Sequence, residues 1–153
     1  QRVADDGPVG GKRKPAQLLD QLREAVELLG ADAGIDGFHA ALQPYDFEQR
    51  GFEWIDCHDA GNSVLAFLRR AEDRFVIVVL NFTPVVRNGY RVGAPEPGIY
   101  EEILNSDAAV YGGSNQGNLG RVVAAPIPWM NRRACLTLTL PPLAGIVLRH
   151  VSA

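Results

Sequence analysis

Residues 75–80 read FVIVVL, a run without one polar side chain. Successive residues of a strand point to opposite faces, so a strand built from this run is apolar on both and has to be covered on both. It belongs in the middle of a layered structure, inside a sandwich or beneath a packed helix.

Material for the layers lies on either side. FEWIDC (52–57) leads to the turn residues DAGN, and VLAFLRR (64–70) runs through AED into RFVIVVLNF (74–82), a meander signal. Val85 to Val92, the turn GAPEPG and Ile99 to Leu104 are richer in Pro and Gly and are expected as short edge strands. Leu136, Leu138 and Leu140 alternate with Thr137 and Thr139, and Leu143 to Val151 supplies a last strand after Pro141 and Pro142.

Ahead of the strands, Leu18, Leu19, Leu22, Val26 and Leu29 recur at three- and four-residue spacing behind Pro15 and stop at Gly30. This is the pattern of one amphipathic α-helix, whose stripe has to dock on the β-rich part or on a partner that this chain lacks. The expected organisation is a flexible tail over residues 1–14, helix and connector over 15–51, and a β-domain over 52–153. The fold class is mainly β: an antiparallel, Greek-key-like β-sandwich preceded by one α-helix.

At 153 residues, with 46% apolar and 22% charged, the chain suffices for one globular domain that buries roughly 70% of its unfolded surface. Its net charge of −3 opposes a nucleic-acid partner, which needs a basic face to release counterions. No run approaches the ~20 apolar residues of a membrane helix and the N-terminus lacks a signal-peptide core, so no membrane partner and a cytoplasmic location are expected. Cys57 and Cys135 are too few for a disulfide framework. Cys57-His58-Asp59 has no second Cys/His cluster to complete a metal site, and neither metal nor other cofactor is expected.

Residues 111–118, YGGSNQGN, lack the terminal Lys-Ser/Thr and following helix of a phosphate loop. They read as a turn whose glycines and asparagines tolerate positive φ and whose amides and hydroxyl suit water or sugar hydroxyls.

Taken in order, GFEWIDCHDAGNSVLAFLRR, VVLNFTPVVRNGYRVGAPEPGIYEEILNSDAAVYGGSNQGN and LTLTLPPLAGIVL resemble the C-terminal all-β domain of bacterial 1,4-α-glucan (glycogen) branching enzymes, members of the α-amylase superfamily. The resemblance runs from about Phe47 to Leu148. It implies a part in glycogen biosynthesis, where an α-1,4-linked glucan is cut and the fragment rejoined through an α-1,6 branch. In that family catalysis belongs to a (β/α)₈ barrel with an aspartate nucleophile, a glutamate acid/base and a second aspartate, in motifs such as GFRVDAV that are absent here. His58-Asp59 resembles the barrel's last His-Asp pair but lies in the first strand and turn of the β-domain, so no catalytic role is carried onto it. What the resemblance implies is a non-catalytic accessory domain, inactive alone, whose partner is a catalytic (β/α)₈ barrel. A free-standing α-glucan-binding module is the alternative, and an independent enzyme lacks a nucleophile and base that the sequence can pair.

FHAALQPYDF stands where full enzymes carry a phrase resembling PALHELDF. The chain reads either as a fragment of such an enzyme or as a separate small protein whose helix caps the sandwich, and the glycine-rich tail favours the second.

Aromatic faces stack on the apolar face of a pyranose, which singles out Trp54, Trp129, Tyr45, Tyr90, Tyr100 and Tyr111. Trp54, Tyr90 and Tyr100 sit in strand patterns and read first as packing residues. Trp129, between PIP and MNRR, is the aromatic expected at the surface, as open to ligand or partner contact as to packing. In the glycine-rich loop Ser114, Asn115 and Asn118 are expected to bond the loop's own backbone ahead of any sugar. The carbohydrate-binding candidates are therefore Trp129, Tyr111, Ser114 and Asn115, with no catalytic residue assigned. Glu101, Glu102, Arg69 and Arg70 read as a solvated strand face. Open sandwich edges and a free helix stripe leave room for a homodimer.

Overall fold

The computed structural model describes residues 51–71 and 74–151; the helix expected after Pro15, its connector and Tyr45 lie outside the described residues. Eight strands occur among them: β1 (Phe52–Asp56), β2 (Val64–Ala71), β3 (Arg74–Asn81), β4 (Arg87–Ala94), β5 (Gly98–Asn105), β6 (Arg121–Ala124), β7 (Ala134–Leu140) and β8 (Ala144–His150).

The strands form a six-stranded sheet in the order β1-β2-β3-β8-β5-β6 and a two-stranded sheet of β4 and β7, with every pairing antiparallel. The chain leaves the large sheet after β3, returns for β5 and β6, leaves again for β7 and ends in β8 between β3 and β5. Reciprocal backbone bonds between Ala125 and Cys135 (2.9 and 3.0 Å) tie the end of β6 to β7 and close one side of the two-layer stack. Among the described residues no helix is long and apolar enough to cross a membrane.

Alternation along β3 divides its apolar run between two clusters, as a two-sided strand requires. Ile77 and Val79 face the second sheet, in a core with Leu68 of β2, Leu136, Leu138 and Leu140 of β7, and Ile146 and Leu148 of β8. Val76, Val78 and Leu80 face the other way and are buried with Leu104 and Val147, flanked by Leu65, Phe67, Phe82 and Ile103. The central strand is thus buried on both faces, and the large sheet has an apolar outer face of its own.

Two expectations are corrected. β5 is not an edge strand: it pairs with β8 on one side and β6 on the other. The Pro and Gly that suggested an edge fall at and before its first residue, leaving Tyr100 to bury completely and donate its hydroxyl to the Glu96 carbonyl at 2.8 Å. Burial pushes that phenol up to about 12. Glu101 and Glu102 also do not share one solvated face. Glu101 lies on the outer face between Arg149 (2.6 Å) and Arg121 (2.9 Å), while Glu102, across from Leu148, turns toward the loop after β5.

Two short motifs meet at a buried hub. Asn81, fully buried at the end of β3, donates Nδ2 to the carbonyls of Val85 (2.8 Å) and Pro141 (3.0 Å), and its Oδ1 accepts from the N–H (3.1 Å) and hydroxyl (2.7 Å) of Thr83. The Leu143 N–H donates to the Thr83 carbonyl at 2.8 Å. NFTPV and LTLPPLA, 60 residues apart at Asn81 and Pro141, therefore fix one another's turns.

Candidate functional site

The loop after β5 begins with an Asx turn in which Asn105 Oδ1 accepts from the Asp107 N–H at 2.9 Å. A short 3-10 helix, Ala109–Tyr111, follows and ends on Gly112 in the left-handed region, φ 75°. The chain then folds back over Asp107. That carboxylate, on a buried residue, accepts from the Ser114 N–H (3.0 Å), the Ser114 hydroxyl (2.6 Å) and the Gln116 N–H (3.0 Å), while its own backbone carbonyl accepts from the Asn115 N–H (2.7 Å).

Two glycines make that wrap sterically allowed. A Cβ on Gly113 would collide with the Asp107 backbone, and one on Gly117 with the Asn105 side-chain amide. Asn105 in turn donates to the Gln116 carbonyl (2.7 Å) and to Glu102 (3.3 Å). Asn118 acts as a one-residue strand against β7: Oδ1 accepts from the Thr139 N–H (2.8 Å), and Nδ2 donates to the Thr139 carbonyl (3.1 Å) and to Glu102 (2.6 Å). The loop is thereby fastened to both sheets.

Between this loop and the end of β5 lies a cleft of about 490 Å³ whose floor and walls include Glu102, Asn105, Tyr111, Asn115 and Gln116. Both oxygens of Glu102 are engaged by amide donors, which makes it a fixed negative feature of the floor. Val110 and Leu119, both strongly exposed, stand on the lining.

The structure separates the four carbohydrate candidates. Tyr111 and Asn115 line the cleft; Ser114 does not, its hydroxyl being spent on Asp107. Trp129 is elsewhere, in the hairpin turn between β6 and β7, where backbone bonds to Arg132 (3.1 and 2.9 Å) close the turn over Met130 and Asn131. It is 37% exposed, but its Nε1 donates to the Arg91 carbonyl (3.2 Å) and the Arg91 guanidinium covers one ring face at 3.8 Å. Arg132 anchors the same turn to β1 through Glu53 (2.7 Å) and the Trp54 carbonyl (3.0 Å).

The remaining aromatics divide as packing residues. Tyr100 is core. Tyr90 donates its hydroxyl to Asp59 at 2.6 Å, and burial followed by that bond raises its pKa. The Tyr90 bond is also the largest cause holding the Asp59 carboxyl below its ordinary value, with Asn62 and Arg87 adding to it. Trp54 remains about half exposed while meeting Phe52 edge-on at 4.9 Å and Phe67 at 5.9 Å. Cys57 is exposed and Cys135 buried, both free thiols, and no cluster of three His, Cys, Asp or Glu residues suited to a metal occurs among the described residues.

Gln116 and Asp107 were not singled out by the sequence. A buried Asp seven residues before the serine it holds reads locally like any polar turn residue; its one signal is the glycine-serine pair placed to fold back on it.

Comparison with known proteins agrees with this architecture. The family model described as alpha amylase, C-terminal all-beta domain, matches residues 54–151. The 1,4-alpha-glucan branching enzyme GlgB of Methylococcus capsulatus is 56% identical over 113 residues, 74% of this chain and 15% of that protein. Those of Cellvibrio japonicus and Nitrosospira multiformis are 48% and 47% identical over 147 and 146 residues, 96% and 95% of this chain and 18% of each protein, which takes the likeness into residues 1–50. The chain thus spans about 15–18% of the length of the curated relatives it matches. By the match over residues 54–151, the chain belongs to the family of alpha amylase C-terminal all-beta domains.

Proposed function

We propose that this chain serves as the C-terminal accessory domain of a 1,4-α-glucan branching enzyme, acting in glycogen synthesis by packing against and stabilising the catalytic part rather than by chemistry of its own. The observation that carries this reading is the likeness to branching enzymes, of whose length this chain matches about 15–18%. On the outer face of the large sheet, Val76, Val78, Leu80, Leu104 and Val147 form a second core on the side away from β4 and β7. A sheet with two apolar faces needs a layer on each. The stripe Leu18, Leu19, Leu22, Val26 and Leu29 is our choice for the outer layer, and the likeness of two branching enzymes over 95–96% of the chain supports treating that segment as part of the same unit.

The test is a chimera in which this chain replaces the matching 18% of the Cellvibrio japonicus enzyme. The chimera is expected to branch amylose, the isolated chain to have no activity, and the Cellvibrio enzyme lacking that segment to lose stability. In the chimera Leu22→Asp and Val78→Asp are each expected to lower the melting temperature, and the proposed seating of the stripe on this face predicts a double variant that lowers it by less than their sum. An enzyme as stable and active without the segment would refute the accessory role, and strictly additive losses would refute the seating of the stripe.

A further inference from the structure

We propose that the cleft beside the loop at residues 107–120 is a surface site for a segment of α-glucan, held by Tyr111, Asn115 and Gln116 between the exposed Val110 and Leu119. The sugar class follows from the cleft; the choice of an α-glucan among sugars rests on the branching-enzyme reading.

The loop's internal bonding decides which groups remain for a ligand. Asp107 takes both donors of Ser114 and the N–H groups of Asn115 and Gln116, Ala108 and Ala109 take those of Tyr111, Gly112 and Gly113, and Asn105 donates to the Gln116 carbonyl, so the backbone N–H groups of residues 111–116 are already used. Left over, with no hydrogen-bond partner among the described residues, are the side-chain amide of Gln116, Asn115 Nδ2 and the Tyr111 hydroxyl. These groups can each give or take a hydrogen bond with a hydroxyl. Glu102 in the floor, with no cation against it among the described residues, disfavours phosphates and carboxylates, so the fitting ligand is neutral.

The rim supplies the apolar half of the recognition. Tyr111 is 41% exposed, Val110 83%, and Leu119 completely so, at φ 57°, a backbone conformation that a leucine rarely adopts. An aromatic ring and two aliphatic side chains around free amides match a pyranose, which offers C–H faces and hydroxyl edges in the same unit. A protein segment would instead bring apolar side chains over the free side-chain amides of Asn115 and Gln116, which it would leave unsatisfied. A volume of about 490 Å³ lies within the ~300–1,000 Å³ usual for small-ligand sites, room for a short oligosaccharide stretch. Because Gly113 and Gly117 let the loop close against Asp107 and Asn105, the site is formed before the ligand arrives, which lowers the ordering cost of binding.

The test is a titration of the ¹⁵N-labelled full chain with maltoheptaose, followed by amide chemical shifts. Saturable shifts confined to residues 102–120 are expected, with cellohexaose producing much weaker ones. Tyr111→Ala is expected to weaken binding by about tenfold and Gln116→Ala by about threefold, with the rest of each spectrum unchanged. Trp129→Ala is expected to leave the affinity as it is. Shifts centred on residues 125–133, an equal response to cellohexaose, or no response at millimolar sugar would each overturn the proposal. So would greater protection of the Tyr111–Gly117 amides in the chimera than in the isolated chain, both without glucan, which would assign the cleft to contact with the catalytic part. None of these outcomes bears on the chimera's melting behaviour, so the accessory role and the glucan site fail separately.

Discussion

Asn81→Ala tests whether the hub at the end of β3 joins the two turns energetically as well as geometrically. The substitution deletes four hydrogen bonds and leaves the Thr83 N–H and the carbonyls of Val85 and Pro141 without their partner. Val85 is half exposed and water can reach its carbonyl, whereas Pro141 is buried and Thr83 partly so. At about 1–3 kcal/mol for each buried group left unsatisfied, two such groups give a loss of about 2–6 kcal/mol, a large share of the ~5–15 kcal/mol that holds a domain folded. With a urea m-value of about 2 kcal/mol/M, the midpoint should fall by about 1–3 M. Asn81→Asp sharpens the test, because it keeps the acceptor for Thr83 but turns a second oxygen toward two carbonyls. It should be destabilised similarly at neutral pH and recover partly in acid, where a protonated carboxyl can donate again. Equilibrium urea unfolding followed by circular dichroism reads both. A loss under about 1 kcal/mol for the alanine variant, or an aspartate variant as stable as the parent at neutral pH, would refute the role assigned to this residue.

Three further outcomes are expected. The Asp59 carboxyl has a depressed folded pKa, so its contribution to stability is present above the unfolded value near 3.9 and lost as pH falls through the folded one; Tyr90→Phe removes the largest cause. The gap in stability between parent and Tyr90→Phe should therefore be constant from neutral pH to about 5 and shrink below about 4, and a pH-independent gap in urea titrations would refute the assignment. Gly113→Ala should cost about 1–3 kcal/mol because the new methyl meets the Asp107 backbone rather than a side chain that can move away, and an unchanged melting temperature would show that the loop is not closed as described. Leu119→Asn should raise stability by several tenths of a kcal/mol, since the side chain is fully exposed and asparagine tolerates a positive φ better than leucine; a fall on thermal melting would mean that Leu119 packs on something in solution.

The fold was more legible than the site, and the reason is the range of the interactions that make each. The two-faced burial of β3 follows from six adjacent residues, and the Leu/Thr alternation of β7 from five, so both are written locally. β6 escaped because Arg121–Ala124 holds only two valines between a glycine-rich loop and a proline-rich turn. What makes it a strand is partnership with β5 and the bridge to β7, neither of which its own residues announce.

The candidate site lies wholly in that second category. Tyr111 and Asn115 could be named from chemistry, as exposed ring and amide, but their place in one cleft depends on a carboxylate outside the glycine-rich octet and on the Asn118 amide bonding Thr139, 21 residues along the chain. The same dependence removed Ser114, whose hydroxyl the sequence offered to a sugar and the fold gives to Asp107. Trp129 illustrates the converse: its exposure was legible from the flanking prolines and arginines, yet Arg91, 38 residues away, takes one face of the ring and the indole N–H. A polar loop side chain is therefore available to a ligand only after the loop's own backbone has been satisfied, and which side chains remain over is settled by tertiary bonding. For this domain that remainder is Tyr111, Asn115 and Gln116, a set to which chemistry alone contributes two members and the closed loop the third.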